Sequence, residues 1–112
     1  MHRAEAATHC NMGVVYGRQG DHVRGQALFQ QALDVQMQVA GFKHPHVAES
    51  HVCLAWISMK QGEESECQAH LERALDTGFL WQQTSFLEEE DSFDAVRQAV
   101  WFREMLANAK HF

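Results

Sequence analysis

The segment HCNMGVVYGRQGDHVRGQALFQQALD (His9–Asp34) aligns without a gap with HVCLAWISMKQGEESECQAHLERALD (His51–Asp76), 42 residues further along the chain. The identical pairs are His9/His51, Gln19/Gln61, Gly20/Gly62, Gln26/Gln68, Ala27/Ala69, Ala32/Ala74, Leu33/Leu75 and Asp34/Asp76. A repeat of this period predicts stacked supersecondary units, which usually present a binding surface rather than a catalytic centre.

The bulk composition fits one small acidic domain over residues 1–112. The formal charge is −6, from 15 acidic and 9 basic residues. A general nucleic-acid binder needs a net basic face, so we expect no nucleic-acid partner. The chain has no apolar run of roughly 18 residues, so we expect no membrane-spanning helix and no membrane partner.

The cysteines and the N-terminal residues indicate the cellular compartment of the protein. An odd set of three, Cys10, Cys53 and Cys67, does not form a disulfide framework. The first residues, MHRAEAATHCNMG, lack the apolar stretch of a signal peptide. We therefore expect a cytoplasmic protein in a reducing compartment.

Apolar spacing predicts helices and no strands, hence an all-α fold. Glycine turns follow the first and third helices, so each repeat reads as a helical hairpin. The predicted helices run from about 6 to 18, 22 to 40, 45 to 60 and 64 to 77. The aromatic tail that begins at Phe79 departs from the repeat. We expect short helices there over about 93–97 and 99–109, which cover the apolar end of the second repeat.

These residues resemble the tetratricopeptide repeat (TPR) signature. In the first repeat His9, Met12-Gly13 and Tyr16 occupy the helix A positions, and Gly25, Phe29 and Ala32 occupy helix B. The second repeat offers His51, Leu54-Ala55 and Ser58, then Cys67, Leu71 and Ala74. The resemblance implies a right-handed helical-hairpin solenoid with repeats over about 6–40 and 45–78 and a capping tail over 79–112.

The chain departs from the usual TPR pattern in its length and at key positions. Its period is 42 residues instead of 34, His replaces the usual Trp, and Ser58 replaces Tyr. The long spacing, with Gly-x-x-His-Pro at 41–45, resembles the variant seen in kinesin light chains. The tail over residues 87–106 is similar to a segment that often closes bacterial-type arrays.

The resemblance also implies a concave groove, lined by the A helices, that accepts a peptide or a helix. The expected partner-binding residues are Cys10, Val14, Arg18, Val52, Cys53, Trp56, Met59 and Lys60, with Gly17 and Glu49 beside them. A partly exposed Trp56 would be the anchor, with Arg18 and Lys60 as a basic edge. The alternative is that Trp56 packs under the tail. A clamp for chaperone tails is not expected, because Cys10, Val14 and Cys53 replace its Lys and Asn residues.

No residue pattern points to catalysis, a metal or another cofactor. His44, His46 and His51 are close in sequence, but neither a HExxH motif nor paired Cys-x-x-Cys accompanies them. The acidic run over 88–91 with Asp94 reads as a solvated or capping segment. We therefore expect no enzyme.

The predicted function is a protein–protein interaction scaffold. Two alternatives stay open: a self-assembling unit or part of a longer TPR array, because Met1–Ala6 begins abruptly at a repeat, and a regulatory subunit of an enzyme complex. We expect specificity at positions where the repeats differ, Val14 against Trp56 and Gly17 against Met59.

Overall fold

The computed structural model describes residues 3–110, and the side chains from Ala6 to Lys110. Six α-helices occupy this range: α1 (Arg3–Arg18), α2 (His22–Ala40), α3 (Pro45–Lys60), α4 (Glu64–Asp76), α5 (Thr84–Glu89) and α6 (Val100–Lys110). Two 3₁₀ turns, Leu80–Gln83 and Asp91–Phe93, flank α5, and no strand occurs within the described range. The expectation about the first residues of the chain falls partly on Met1 and His2, which lie outside the described residues.

Equivalent glycine turns close the two hairpins, α1–α2 and α3–α4. Gly20 and Gly62 have φ values of 90° and 75°, in the left-handed region that glycine adopts without steric cost. Asp21 then caps α2, since its side chain accepts a hydrogen bond from the Arg24 backbone N–H at 3.2 Å. The hairpin boundaries therefore follow from local sequence.

Small residues set the close approach of α1 and α2. A Cβ on Gly13 would lie 2.7 Å from Cε1 of the buried Phe29 ring, and one on Gly25 would lie 3.0 Å from the carbonyl oxygen of Gly13. Their counterparts in the second hairpin, Ala55 and Cys67, are fully buried. Larger side chains would push the paired helices apart at these contacts.

The second hairpin packs on the first mainly through α3, which contacts both α1 and α2. Trp56 and Ile57 enter this interface beside Gly17, where an added Cβ would lie 2.7 Å from the indole and 2.9 Å from Ile57 Cδ1. The expectation that Gly17 displays a groove surface is wrong, because Gly17 is a buried notch that receives the Trp56 ring. On the surface, Gln61 Nε2 donates to Gln26 Oε1 at 3.2 Å.

The tail covers the exposed end of the second hairpin, as expected. Its buried side chains share the core of α3 and α4 and are Leu80, Leu87, Phe93, Val96, Phe102, Met105 and Ala109. The predicted helix over 93–97 is wrong: a 3₁₀ turn ends at Phe93, and turns without α-helix continue through residue 98. Short α5 was not predicted, because six residues are too few to show helical periodicity.

Candidate functional site

A surface pocket lies between α1 and α3, with the tail as a third wall. It has a volume of about 170 Å³. Its lining residues are Cys10, Asn11, Val14 and Arg18 from α1, Glu49, Val52, Cys53 and Trp56 from α3, and Gln83 and Phe86 from the tail. We call this pocket and the surface along α1 and α3 the central groove.

Six of the eight sequence-predicted binding residues line this pocket: Cys10, Val14, Arg18, Val52, Cys53 and Trp56. Glu49, expected beside them, lines it too. Met59 does not; it packs half-buried against the core. Lys60 also lies outside the lining set, but its ammonium approaches the Trp56 ring. The structure thus brings the predicted A-helix faces together, and their role in binding stays a prediction.

Trp56 is a wall of the groove and not an exposed anchor. Only 2% of its surface is accessible, so the prediction of a partly exposed indole is wrong. Its ring packs edge-to-face on Phe29, with centroids 6.1 Å apart. Its Nε1–H donates to Glu90 Oε1 at 3.1 Å. The structure agrees with the alternative expectation, that Trp56 packs under the tail.

Charge is distributed unevenly along the groove. Near the C-terminal ends of α1 and α3, the Arg18 Cζ and Lys60 Nζ atoms lie 5.6 Å and 4.8 Å from the centroid of the Trp56 ring. Cations are attracted to the negative face of an indole, so these contacts hold both charges beside the groove. Glu49, in the second turn of α3, places a carboxylate toward the opposite end of the pocket.

Sequence reasoning missed the tail wall, Gln83 and Phe86. Phe86 packs edge-to-face on the buried Phe93, with ring centroids 5.9 Å apart. The tail lies outside the repeat, so no equivalent position in the other repeat indicated where its side chains would point. The aromatic composition of the tail was the only signal available.

A hydrogen-bonded clamp in the tail positions the carboxylate that meets Trp56. The Arg97 guanidinium donates to the carbonyl oxygens of Leu87 and Glu90 at 3.2 Å and 2.7 Å. These carbonyls lie at the end of α5, where backbone acceptors lack helical partners. Ser92 Oγ donates to the same Glu90 carboxylate at 3.3 Å. The acidic run read as a solvated segment therefore contributes one residue, Glu90, to the packing of Trp56.

Two cysteines meet at the end of the pocket near the start of α3. The Cys10 sulfur lies 3.8 Å from Ser50 Oγ, and Cys53 follows Ser50 by one turn on the same face of α3. Hydrogen bonding to the neighbouring Cys53 thiol lowers the pKa of Cys10, against the opposing effect of burial. Interaction with Cys10, together with burial, raises the pKa of Cys53 well above its ordinary value. Burial also raises the pKa of Cys67, on α4, to about 12.

A second titratable pair, His51 and His70, joins α3 to α4 away from the groove. Their Nδ1 atoms are 3.3 Å apart. Burial, followed by the nearby His70 and Arg73, lowers the pKa of His51 to about 4, and burial also lowers the pKa of His70. One neutral ring therefore donates to the other at neutral pH. His51 fills a structural position of its repeat, as its match with His9 indicated.

Among the described side chains, from Ala6 to Lys110, no group of three or more His, Cys, Asp or Glu residues is arranged to hold a metal ion. None of the helices within residues 3–110 has the length and apolar character needed to cross a membrane.

Paired antiparallel helices stacked side by side, with a groove along the first helix of each pair, define a helical-hairpin repeat protein. The tetratricopeptide repeat family model matches residues 4–77, which span both hairpins. The chain therefore belongs to the tetratricopeptide repeat family, and the predicted all-α solenoid is confirmed. A comparison with curated proteins finds no match. Repeats of this family generally mediate protein–protein interactions.

Proposed function

We propose that the chain, as one domain, is an interaction module that binds a peptide or helix of a partner protein in the central groove. The observation that carries this proposal is the apolar pocket between α1 and α3, which is bordered by charges of opposite sign at its two ends. Buried apolar side chains supply most affinity at such sites, while charges set orientation.

The size of the pocket limits what it accepts. At about 170 Å³ it is smaller than the usual ligand site of roughly 300–1,000 Å³. It therefore suits a single inserted side chain, such as Leu or Phe, of a longer segment. Val14 and Phe86, both half-buried, flank the inserted group. So small an interface gives modest affinity.

The charges give the bound segment a direction. Arg18 and Lys60 attract an acidic residue near the C-terminal ends of α1 and α3, and Glu49 attracts a basic one toward the other end. Pairs at a solvent-exposed rim contribute little affinity but select orientation. The preferred ligand is therefore a segment with a central apolar residue, an acidic residue on one side of it and a basic residue on the other.

A peptide array tests this prediction. The array presents peptides with a central Leu, Phe or Trp that carry acidic and basic flanks in both orders, together with Ala-centred versions. We expect binding that requires the central apolar residue and prefers one charge order. Val14→Arg places a long charged side chain at the pocket and should weaken binding at least tenfold, a loss of about 1.4 kcal/mol. Fluorescence anisotropy of the selected peptides measures the loss.

Val39→Arg is the matched control, because Val39 is an exposed valine on α2 that does not line the pocket. Its affinity should equal that of the wild type. Equal binding by the Val14 and Val39 variants, or no dependence on the central residue, would contradict a groove site.

We infer that this module works by binding rather than by catalysis. Among the described residues, the pocket lining contains one carboxylate, Glu49, and no histidine. Acid–base chemistry requires a positioned proton donor and acceptor pair.

The three cysteines are unpaired, which supports the proposal of a reducing, cytoplasmic environment.

A second candidate function is self-assembly, and the outer face of the first hairpin favours it. Met12 and Val15 on α1 are 43% and 53% exposed, whereas their counterparts Leu54 and Ile57 are 1% and 0% exposed. Ile57 is buried because it packs on the preceding hairpin. The equivalent face of α1 is therefore suited to pack against another helical hairpin, either from a second copy or from further repeats.

Sedimentation velocity over a range of concentrations tests self-association. If copies stack through this face, the wild type should associate as concentration rises, and Val15→Lys should remain monomeric. Val100→Lys, at an exposed valine on α6, should behave as the wild type. A wild type that stays monomeric throughout would exclude the homo-oligomer.

A further inference from the structure

Cys10 and Cys53 belong to different hairpins but approach each other at the groove. Cys10 Sγ lies 3.8 Å from Ser50 Oγ. Ser50 and Cys53 are three residues apart on α3, so they lie on the same face of that helix, one turn from each other. The Cys10 sulfur therefore lies beside the turn of α3 that carries Cys53. Both side chains line the same pocket.

We propose that Cys10 and Cys53 are a redox modification site, at which a hydroperoxide or a small-molecule disulfide converts the two thiols into a disulfide that joins α1 to α3. Both residues line the pocket, which gives a small oxidant a route to the pair. Cys67 does not take part, because it is a fully buried residue of α4 and does not line the pocket.

The two thiols are differentiated for this chemistry. The thiolate is the nucleophile in thiol oxidation, and a hydrogen bond from a neighbouring thiol stabilises it. Hydrogen bonding with the neighbouring Cys53 thiol lowers the pKa of Cys10, whereas the pKa of Cys53 is raised. Cys10 is therefore the attacking sulfur and Cys53 the resolving one.

The reaction balances with hydrogen peroxide as the oxidant. The Cys10 thiolate attacks one peroxide oxygen, the O–O bond breaks, and the products are a Cys10 sulfenic acid and hydroxide, which takes up a proton to become water. The Cys53 sulfur then attacks the Cys10 sulfur, an S–S bond forms, and the sulfenic oxygen leaves as a second water with the Cys53 proton. Two thiols and one peroxide thus give one disulfide and two waters.

The crosslink has a structural consequence for the groove. α1 and α3 belong to separate hairpins, and they meet each other less extensively than each meets α2. A covalent bond at Cys10 and Cys53 ties them together at one end of the pocket. It also removes the thiol hydrogens from the lining and restricts relative movement of the two groove walls. Reducing agents reverse the change.

Thiol counting by mass spectrometry tests the proposal. The reduced protein is exposed to equimolar hydrogen peroxide, unfolded in denaturant and alkylated with N-ethylmaleimide. The untreated chain should take up three adducts, and the oxidised chain should take up one, located at Cys67 by peptide mapping. Treatment with dithiothreitol should restore all three. The measurement involves no bound peptide, so it does not depend on the proposed function.

Single variants separate this pair from nonspecific oxidation. Cys67→Ser should still form the disulfide, leaving no alkylated cysteine, whereas Cys10→Ser and Cys53→Ser should each retain two. Far-UV circular dichroism verifies that the variants remain helical. Three adducts after oxidation, oxygen addition without loss of two hydrogens, or a crosslink between two copies would overturn the proposal.

Discussion

Trp56→Ala should destabilise the protein by about 3–5 kcal/mol, the range measured for removal of large buried aromatic side chains. The indole is 2% exposed and contacts three parts of the chain: Gly17 on α1, Phe29 on α2 and Glu90 in the tail. No single neighbouring side chain can refill a space bounded by three elements. Because small domains have total stabilities of about 5–15 kcal/mol, the loss is a large part of the whole.

Urea unfolding monitored by circular dichroism at the helical band measures this loss without relying on indole emission. Trp56→Phe serves as the control, since it keeps an aromatic ring but removes the N–H that bonds Glu90. It should cost about 1–2 kcal/mol. An alanine variant as stable as the phenylalanine variant would contradict the central packing role of Trp56.

Gly17→Leu should destabilise the protein by about 3 kcal/mol, the upper end of the cost of overpacking a tight core. Even the first added carbon would lie 2.7 Å from the Trp56 ring and 2.9 Å from Ile57 Cδ1. Both neighbours are buried, so relief of the clash requires a shift of the packed α1–α3 interface. Gly17→Ala should also lose stability, although alanine favours helix over glycine by about 1 kcal/mol.

Ala69, an exposed position on α4, provides the matched control for chemical denaturation. Ala69→Leu should change stability by less than about 0.5 kcal/mol, and Ala69→Gly should lose about 1 kcal/mol. The protein is thus expected to be more stable with alanine than with glycine at position 69, and more stable with glycine than with alanine at position 17. A Gly17→Ala variant more stable than the wild type would show that the notch beside Trp56 is not tightly packed.

The repeat predicted most of the fold because its signals are local. Gly20 and Gly62 mark the turns at matched positions, Asp21 caps α2, and Pro45 begins α3. The α3 boundaries agree at both ends. The tail was predicted less well: α5 was missed and the helix over 93–97 was wrong, because short aromatic segments take their shape from the surface they cover.

The groove was predicted in part. Matched A-helix positions correctly placed Cys10, Val14, Val52 and Cys53 on one surface. They also led to the wrong interpretation of Trp56 and Gly17. The two residues fit each other, because the large Trp56 ring occupies the space that a Cβ on Gly17 would fill. The meeting of Cys10 with Cys53 joins positions that are not equivalent in the repeat.

The sequence by itself determined the hairpins, their order, the family and the faces of α1 and α3 that form the groove. These depend on residues near each other in the chain, through helix periodicity, turn conformation and capping. Only the tertiary structure decided that the tail forms a third wall of the groove, that Glu90 bonds Trp56 in the interior, and that Cys10 lies beside Ser50. The Trp56–Glu90 and Cys10–Ser50 contacts join residues 34 and 40 positions apart. Their geometry depends on how complementary surfaces pack, which local patterns do not specify.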